Sequence, residues 1–137
     1  KYEREEPVQL MLNFLEQQVF SRFESKDVFI FGFSQGALVC YELLKILDKP
    51  IAGLFPISGF IADQNKTIKR IHPAQINTPI VIGHGIKDEV VSFHESELAF
   101  NLLKNESSNV ILESYKGGHK IGYSYIKKIR DLIHQIH

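Results

Sequence analysis

The sequence predicts an α/β domain, a mostly parallel sheet flanked by helices, and two features predict it. Along the whole chain apolar residues alternate between helical spacing and short unbroken runs, the order that a parallel sheet with right-handed crossovers requires. The run Val28-Phe29-Ile30-Phe31-Gly32-Phe33 is nearly all apolar and rich in strand formers, as expected of a strand covered on both faces. No repeat and no low-complexity stretch divides the 137 residues, so positions 1–137 are read as one domain.

The elements follow in order. Between Pro7 and Phe20, Val8, Met11, Leu12, Leu15 and Val19 recur at helical spacing, with Pro7 suited to the first turn. After the strand at Val28 to Phe33, Ala37, Cys40, Tyr41, Leu44 and Leu47 mark a second helix that stops before Pro50. Further strands are expected at Ile51 to Ile57, Pro79 to His84 and Asn109 to Tyr115. Between the last two, Ser92 and Glu95 form an S-x-x-E capping signature, and Ala99, Leu102 and Leu103 continue the helix it opens. Ile126, Ile129, Ile133 and Ile136 mark a closing helix, on which Lys127, Lys128 and Arg130 form a solvated face. The connection from Phe60 to Thr78 is long for a compact domain and suits a lid, a binding segment or short helices, with a helical turn at Ile68 and Ile71.

Composition excludes several classes. Sixteen Lys and Arg balance sixteen Asp and Glu, which leaves no basic surplus to neutralise a phosphate backbone, and nucleic acid is not an expected partner. The lone cysteine, Cys40, cannot form an internal disulfide, which fits a reducing compartment. No Cys and His cluster has zinc spacing, and His84 has no companions at ligand spacing, so it reads as a structural imidazole at a strand end. No apolar run approaches the roughly 20 residues of a membrane span. The chain opens at Lys1, almost directly in a helical pattern, which suggests processing, truncation or a partial chain.

The chemistry concentrates at three places. Gly32-Phe33-Ser34-Gln35-Gly36 stands at the carboxyl end of the first strand and opens the next helix, the setting that a G-x-S-x-G nucleophile elbow requires. The glycines are expected for steric reasons, because side chains flanking so sharp a turn would collide with it. The bare pattern arises by chance in roughly 4% of chains this long, so its placement decides between a nucleophile and a mere capping serine. A serine hydroxyl is a weak nucleophile and needs a base, itself oriented by a carboxylate. Asp88 and His119 each lie four residues beyond the end of a later strand, in the order Ser, Asp, His that this architecture uses.

Rivals stand less well. Asp48 closes a helix, Glu89 cannot face the same way as Asp88, Glu95 has a capping role, and His134 and His137 belong to the terminal helix. Asp63 also follows a strand and is the serious competitor for the orienting acid. The Gln35 backbone N–H is the expected first donor of an oxyanion hole, and the second donor has no source in these 137 residues. Cys40 reads as core filling. Phe29, Phe31 and Phe33 alternate on one strand face and are expected in the core, with Phe33, beside Ser34, also a candidate substrate contact.

Taken together, Gly32-Phe33-Ser34-Gln35-Gly36-Ala37, then His84-Gly85 with Asp88 and Val91, then Tyr115 with Gly118-His119, resemble the phospholipase and carboxylesterase family of α/β hydrolases, which includes acyl-protein thioesterases. The resemblance covers essentially the whole chain but only the carboxyl-terminal part of the family's domain. It implies a cytoplasmic serine hydrolase of acyl esters or thioesters, without metal or cofactor, with Ser34, Asp88 and His119 as its triad. A proline commonly follows the valine of the family's aspartate motif, whereas Ser92 stands here. The family's amino-terminal strands, with the His-Gly loop that completes its oxyanion hole, have no counterpart in these residues; one such donor is worth about 100 to 1,000-fold in turnover.

The strand at Val28 to Phe33 therefore lacks a partner for its outer edge, and we expect a missing amino-terminal segment, a second chain or a symmetry mate to pair with it. Two functions follow from the resemblance. One is an esterase or thioesterase, with lysophospholipids or peptide-like esters as narrower substrate classes. The other is a catalytically silent fragment or interaction module that retains the motifs.

Overall fold

The computed structural model describes residues 2–62 and 70–136. Among these, the helices are α1 (Tyr2–Phe14), α2 (Gln35–Ile46), α3 (Phe93–Leu103) and α4 (Tyr123–Ile136), and the strands are β1 (Phe29–Phe33), β2 (Gly53–Ile57), β3 (Ile80–Gly85) and β4 (Val110–Tyr115). The strands lie side by side in chain order and all pair in parallel, with Phe29 opposite Gly53, Leu54 opposite Ile80 and Ile80 opposite Val110. Helices α2 and α3 carry the chain from β1 to β2 and from β3 to β4, as parallel neighbours require.

Strand alternation sorts side chains onto two faces. Leu54, Ile80 and Ile82 pack on one face against Val8 of α1, Cys40 and Leu44 of α2, and Ala99 and Leu103 of α3. Phe55, Ile57 and Val81 face the other way, against Tyr125 and Ile129 of α4. Every residue of β2 and β3 is buried, which explains why their side chains are apolar apart from His84. Each fully buried Leu or Ile contributes about 1.5 to 3 kcal/mol of transfer free energy. The buried Tyr125 hydroxyl donates to the Val81 carbonyl at 2.5 Å, so its polar end is satisfied.

The expectation that the phenylalanines of β1 are core holds only in part. Phe29 stacks on Phe55 at 5.8 Å between centroids and Phe31 meets the same ring edge-on at 4.9 Å, yet Phe31 is 52% exposed and Phe33 39%. The cause is position. Among the described residues β1 is an edge strand and α4 is the one helix on that face, so apolar alternation is present without a layer to cover it.

Smaller differences have local causes. α1 carries Pro7 inside it rather than at its first turn, and the chain continues into a π-helical turn at Leu15–Val19, closed by the Phe20 amide donating to the Leu15 carbonyl at 2.7 Å. α4 starts at Tyr123, a turn before its first exposed isoleucine. Ser92 caps α3 by accepting from the His94 amide at 3.2 Å, one position short of the expected partner. Within the long connection, Asp63 and Ile68 fall outside the described residues, while Ile71 is buried ahead of a 3-10 turn at Pro73–Gln75. Among the described residues no helix is long and apolar enough to cross a membrane.

Cys40 is 1% exposed, and burial pushes its thiol up to about 12. At pH 8 the thiolate fraction is then on the order of 10⁻⁴, and the native thiol is expected to ignore an aromatic disulfide reagent for an hour and to react one-to-one on unfolding. Absorbance of the released thiolate checks this, and prompt native reaction would show that α2 opens readily.

Candidate active site

Ser34 sits between the last residue of β1 and the first of α2 with φ 59° and ψ −112°. A non-glycine residue holds positive φ only where its surroundings over-determine it. Here the Ser34 amide donates to the Ile57 carbonyl at 2.8 Å, and its own carbonyl accepts from the Ala37 amide at 3.0 Å. Gly32 makes the turn sterically accessible: a Cβ there would collide with the Gly36 carbonyl group and lie 2.6 Å from the Cys40 sulfur. At Gly36 a Cβ would meet nothing within 4 Å, so the steric reason expected for both glycines applies to the first alone.

Ser34 makes no capping hydrogen bond to α2. Its Oγ–H instead donates to His119 Nε2 at 3.0 Å, and His119 Nδ1–H donates to Asp88 Oδ2 at 2.7 Å. The geometry brings together residues 85 and 31 positions apart. The Asp88 side chain is fully buried, whereas His119 remains 18% exposed, so the row opens to solvent at its hydroxyl end.

Two loops hold these side chains. The loop after β4 is tied to the loop after β3 by the Ile86 and Lys87 amides, which donate to the Tyr115 and Gly117 carbonyls at 2.9 Å each. Tyr115 closes its own loop by donating its hydroxyl to the Lys120 carbonyl at 2.5 Å. The loops approach so closely at Gly85 that a Cβ there would overlap the Gly117 and Gly118 carbonyl oxygens. Asp88 in turn anchors its loop by accepting the Val90 and Val91 amides on Oδ1, both at 2.8 Å.

Burial pushes the Asp88 carboxyl up, but hydrogen bonds from His119, Val91 and Val90, with the nearby His119 charge, outweigh it and hold the carboxyl below its usual 3.8. A carboxyl depressed on folding adds stability that is complete above its unfolded-state pKa and fades as the pH falls through its folded-state value. Asp88→Asn should thus destabilise by about 2 kcal/mol at neutral pH, and the difference from wild type should shrink below pH 3.8 in urea unfolding curves. A difference constant from pH 7 to pH 2 would contradict this origin.

Phe33 leans on the row, its ring 4.9 Å from the His119 ring at 46°, with its outer edge exposed. The Gln35 N–H, at the first position of α2, meets no acceptor among the described residues and is free to donate. Rivals are elsewhere: Asp48 pairs with Lys49 at 3.9 Å on the surface, Glu89 is exposed, and His134 is exposed on α4. Asp63 and His137 lie outside the described residues.

His84 is a fuller participant than the sequence suggested. It is fully buried, with Nε2 3.3 Å from Asp88 Oδ2 and Nδ1 2.6 Å from the Ser96 hydroxyl. The four-residue spacing from His84 to Asp88 was the only signal of this contact. Ser58, buried just after β2 with φ 56°, gave no signal beyond its position before Gly59. Among the described residues no group of three His, Cys, Asp or Glu could hold a metal ion.

A parallel sheet with a serine at the sharp strand-to-helix turn, and an aspartate and a histidine beyond later strands, defines part of an α/β-hydrolase fold. The sequence profile described as Phospholipase/Carboxylesterase matches residues 5–137, and the chain belongs to that family. It is 27% identical over 120 residues to carboxylesterase SOBER1 of Arabidopsis thaliana, covering 87% of this chain and 53% of that protein. It is 31% identical over 107 residues to acyl-protein thioesterase 1 of Candida albicans, covering 75% and 46%. The crystal structure of Arabidopsis SOBER1 superimposes with a TM-score of 0.85 at 25% identity, over 97% of this chain and 64% of that one. The chain thus spans about half the length of these curated relatives.

Proposed function

We propose that the protein is a serine esterase or thioesterase that hydrolyses carboxylic acyl esters or thioesters through an acyl-enzyme on Ser34. One observation carries this reading: the Ser34 hydroxyl forgoes its capping role and lies 3.0 Å from an imidazole whose other nitrogen is 2.7 Å from a buried carboxylate. His119 Nε2 takes the hydroxyl proton as Oγ attacks the acyl carbonyl, then returns it to the leaving alcohol or thiol. Asp88 holds the ring in the tautomer this needs and stabilises the imidazolium. Water, activated by the same His119, then attacks the acyl group and frees Ser34. The reading calls for no metal and no cofactor.

The Gln35 N–H is the assigned oxyanion donor, and Phe33 borders the acyl group. A second donor is assigned to polypeptide beyond these residues, which also pairs with the outer edge of β1. Two features support such a covering segment: the open faces of Phe31 and Phe33, and an apolar groove of about 340 Å³ between Phe31 and Ile126, Ile129 and Ile133 of α4. The assigned location is cytoplasmic, a reading supported by the lone, buried cysteine, which suits a reducing compartment.

A fluorophosphonate probe tests the assignment. It should label the wild-type protein on one serine and leave Ser34→Ala unmodified, as read by intact mass. Equal labelling of the alanine variant would overturn the assignment of Ser34, and an unlabelled, inert wild type would favour a silent interaction module.

A further inference from the structure

We propose that His84 is a positioning residue that aims Asp88 at His119, the second member of a row running from buried Ser96 through His84 and Asp88 to His119. The proposal rests on the serine-hydrolase reading for its kinetic consequences and on geometry alone for its structural ones.

His84, the penultimate residue of the interior strand β3, has 0% exposure, so both ring nitrogens must find partners inside the protein. Nε2 is 2.8 Å from the Val91 carbonyl, which can only accept, and this assigns the proton to Nε2. Nδ1 is then left to accept the Ser96 hydroxyl proton at 2.6 Å. The Tyr41 hydroxyl, buried beside Ser96, is the other polar group at that end. The Phe93 ring stands against the imidazole at 5.8 Å and 84°, which limits its rotation.

The consequence for Asp88 comes from where the donors lie. Oδ1 is held by the Val90 and Val91 amides at 2.8 Å, and Oδ2 receives His119 at 2.7 Å. The His84 Nε2–H, pointing at the Val91 carbonyl, keeps its positive end 3.3 Å from the same Oδ2. Val91 is therefore gripped twice, its amide by Asp88 and its carbonyl by His84, and the turn from 88 to 91 cannot swing the carboxylate away without breaking both. Because Ser96 lies on α3, the carboxylate's direction is referred to a helix packed on the sheet rather than to a free loop. As His119 takes up a proton in the reaction, a carboxylate free to rotate would lose the line to Nδ1 and the tautomer with it.

A purely structural histidine makes a different prediction: His84→Leu would then lower stability, by leaving the Ser96 hydroxyl and the Val91 carbonyl unpaired, and would leave kcat of the folded protein and the His119 proton unchanged. His84→Leu should lower kcat for an aryl ester by about 10 to 100-fold with KM within about two-fold, while His84→Gln, which keeps a donor near the Nε2 position, recovers most of the loss. Independently of activity, the His119 Nδ1 proton should resonate downfield of the amides in wild type, His84→Gln and Ser34→Ala, and should broaden or move upfield in His84→Leu. Ser96→Ala, the gentler change, covers the case in which His84→Leu does not fold and should lower kcat by about 3 to 10-fold with the same proton broadened. Folded variants at position 84 or 96 with unchanged kcat and an unchanged proton resonance would overturn the proposal. A protein that hydrolyses nothing yet shows the expected resonance changes would refute the hydrolase reading and leave the positioning role standing.

Discussion

On the proposed mechanism, His119→Ala will reduce aryl-ester turnover by on the order of 10⁴ to 10⁶-fold, with the protein still folded. The size follows from the arrangement: among the described residues His119 is the one group within hydrogen-bond reach of both the Ser34 hydroxyl and the Asp88 carboxylate. Without it the hydroxyl keeps its proton at neutral pH and Asp88 has nothing to orient. In the proposed mechanism the three residues act as a unit, so Ser34→Ala and His119→Ala combined should be no slower than either alone. Burst and steady-state rates with an aryl acetate, with circular dichroism to confirm the fold, decide it. Retention of activity within ten-fold in His119→Ala would remove the basis of the mechanism.

Gly32→Ala will destabilise the chain by about 3 kcal/mol or more, whereas Gly36→Ala will be neutral or stabilising by up to about 1 kcal/mol. The new methyl at position 32 faces the backbone of Gly36 and the Cys40 sulfur, and backbone cannot step aside without tilting α2. At position 36 the methyl enters open space, and alanine is the better helix residue. Urea unfolding at matched m-values measures both. Gly32→Ala should also slow fluorophosphonate labelling, because a tilted α2 carries Ser34 away from His119. Equal stability of the two variants would mean that the elbow is looser than its contacts imply.

What could be read without coordinates divides along physical lines. Strand and helix periods depend on local spacing, so β1 to β4 and the helices between them were legible to within a few residues, and parallel pairing followed from their alternation. Ser34, Asp88 and His119 were legible as candidates because each lies at the carboxyl end of a strand, where a parallel sheet collects its loops. Pro7 inside α1, the one-position difference at the Ser92 cap and the exposure of Phe31 and Phe33 were not legible, because each depends on what packs against the element.

By itself, the order of residues determined the sheet, its direction and a short set of side chains that could meet, with Asp63 still a rival to Asp88. Only the tertiary structure decided that Ser34 spends its hydroxyl on His119 rather than on a helix cap, that Gly36 is not sterically required, and that His84 faces Asp88. The reason is range: spacing along a chain encodes which face a residue takes, while distances such as 2.7 Å from His119 to Asp88 and 3.0 Å from His119 to Ser34 arise from loops closed by contacts far apart in sequence.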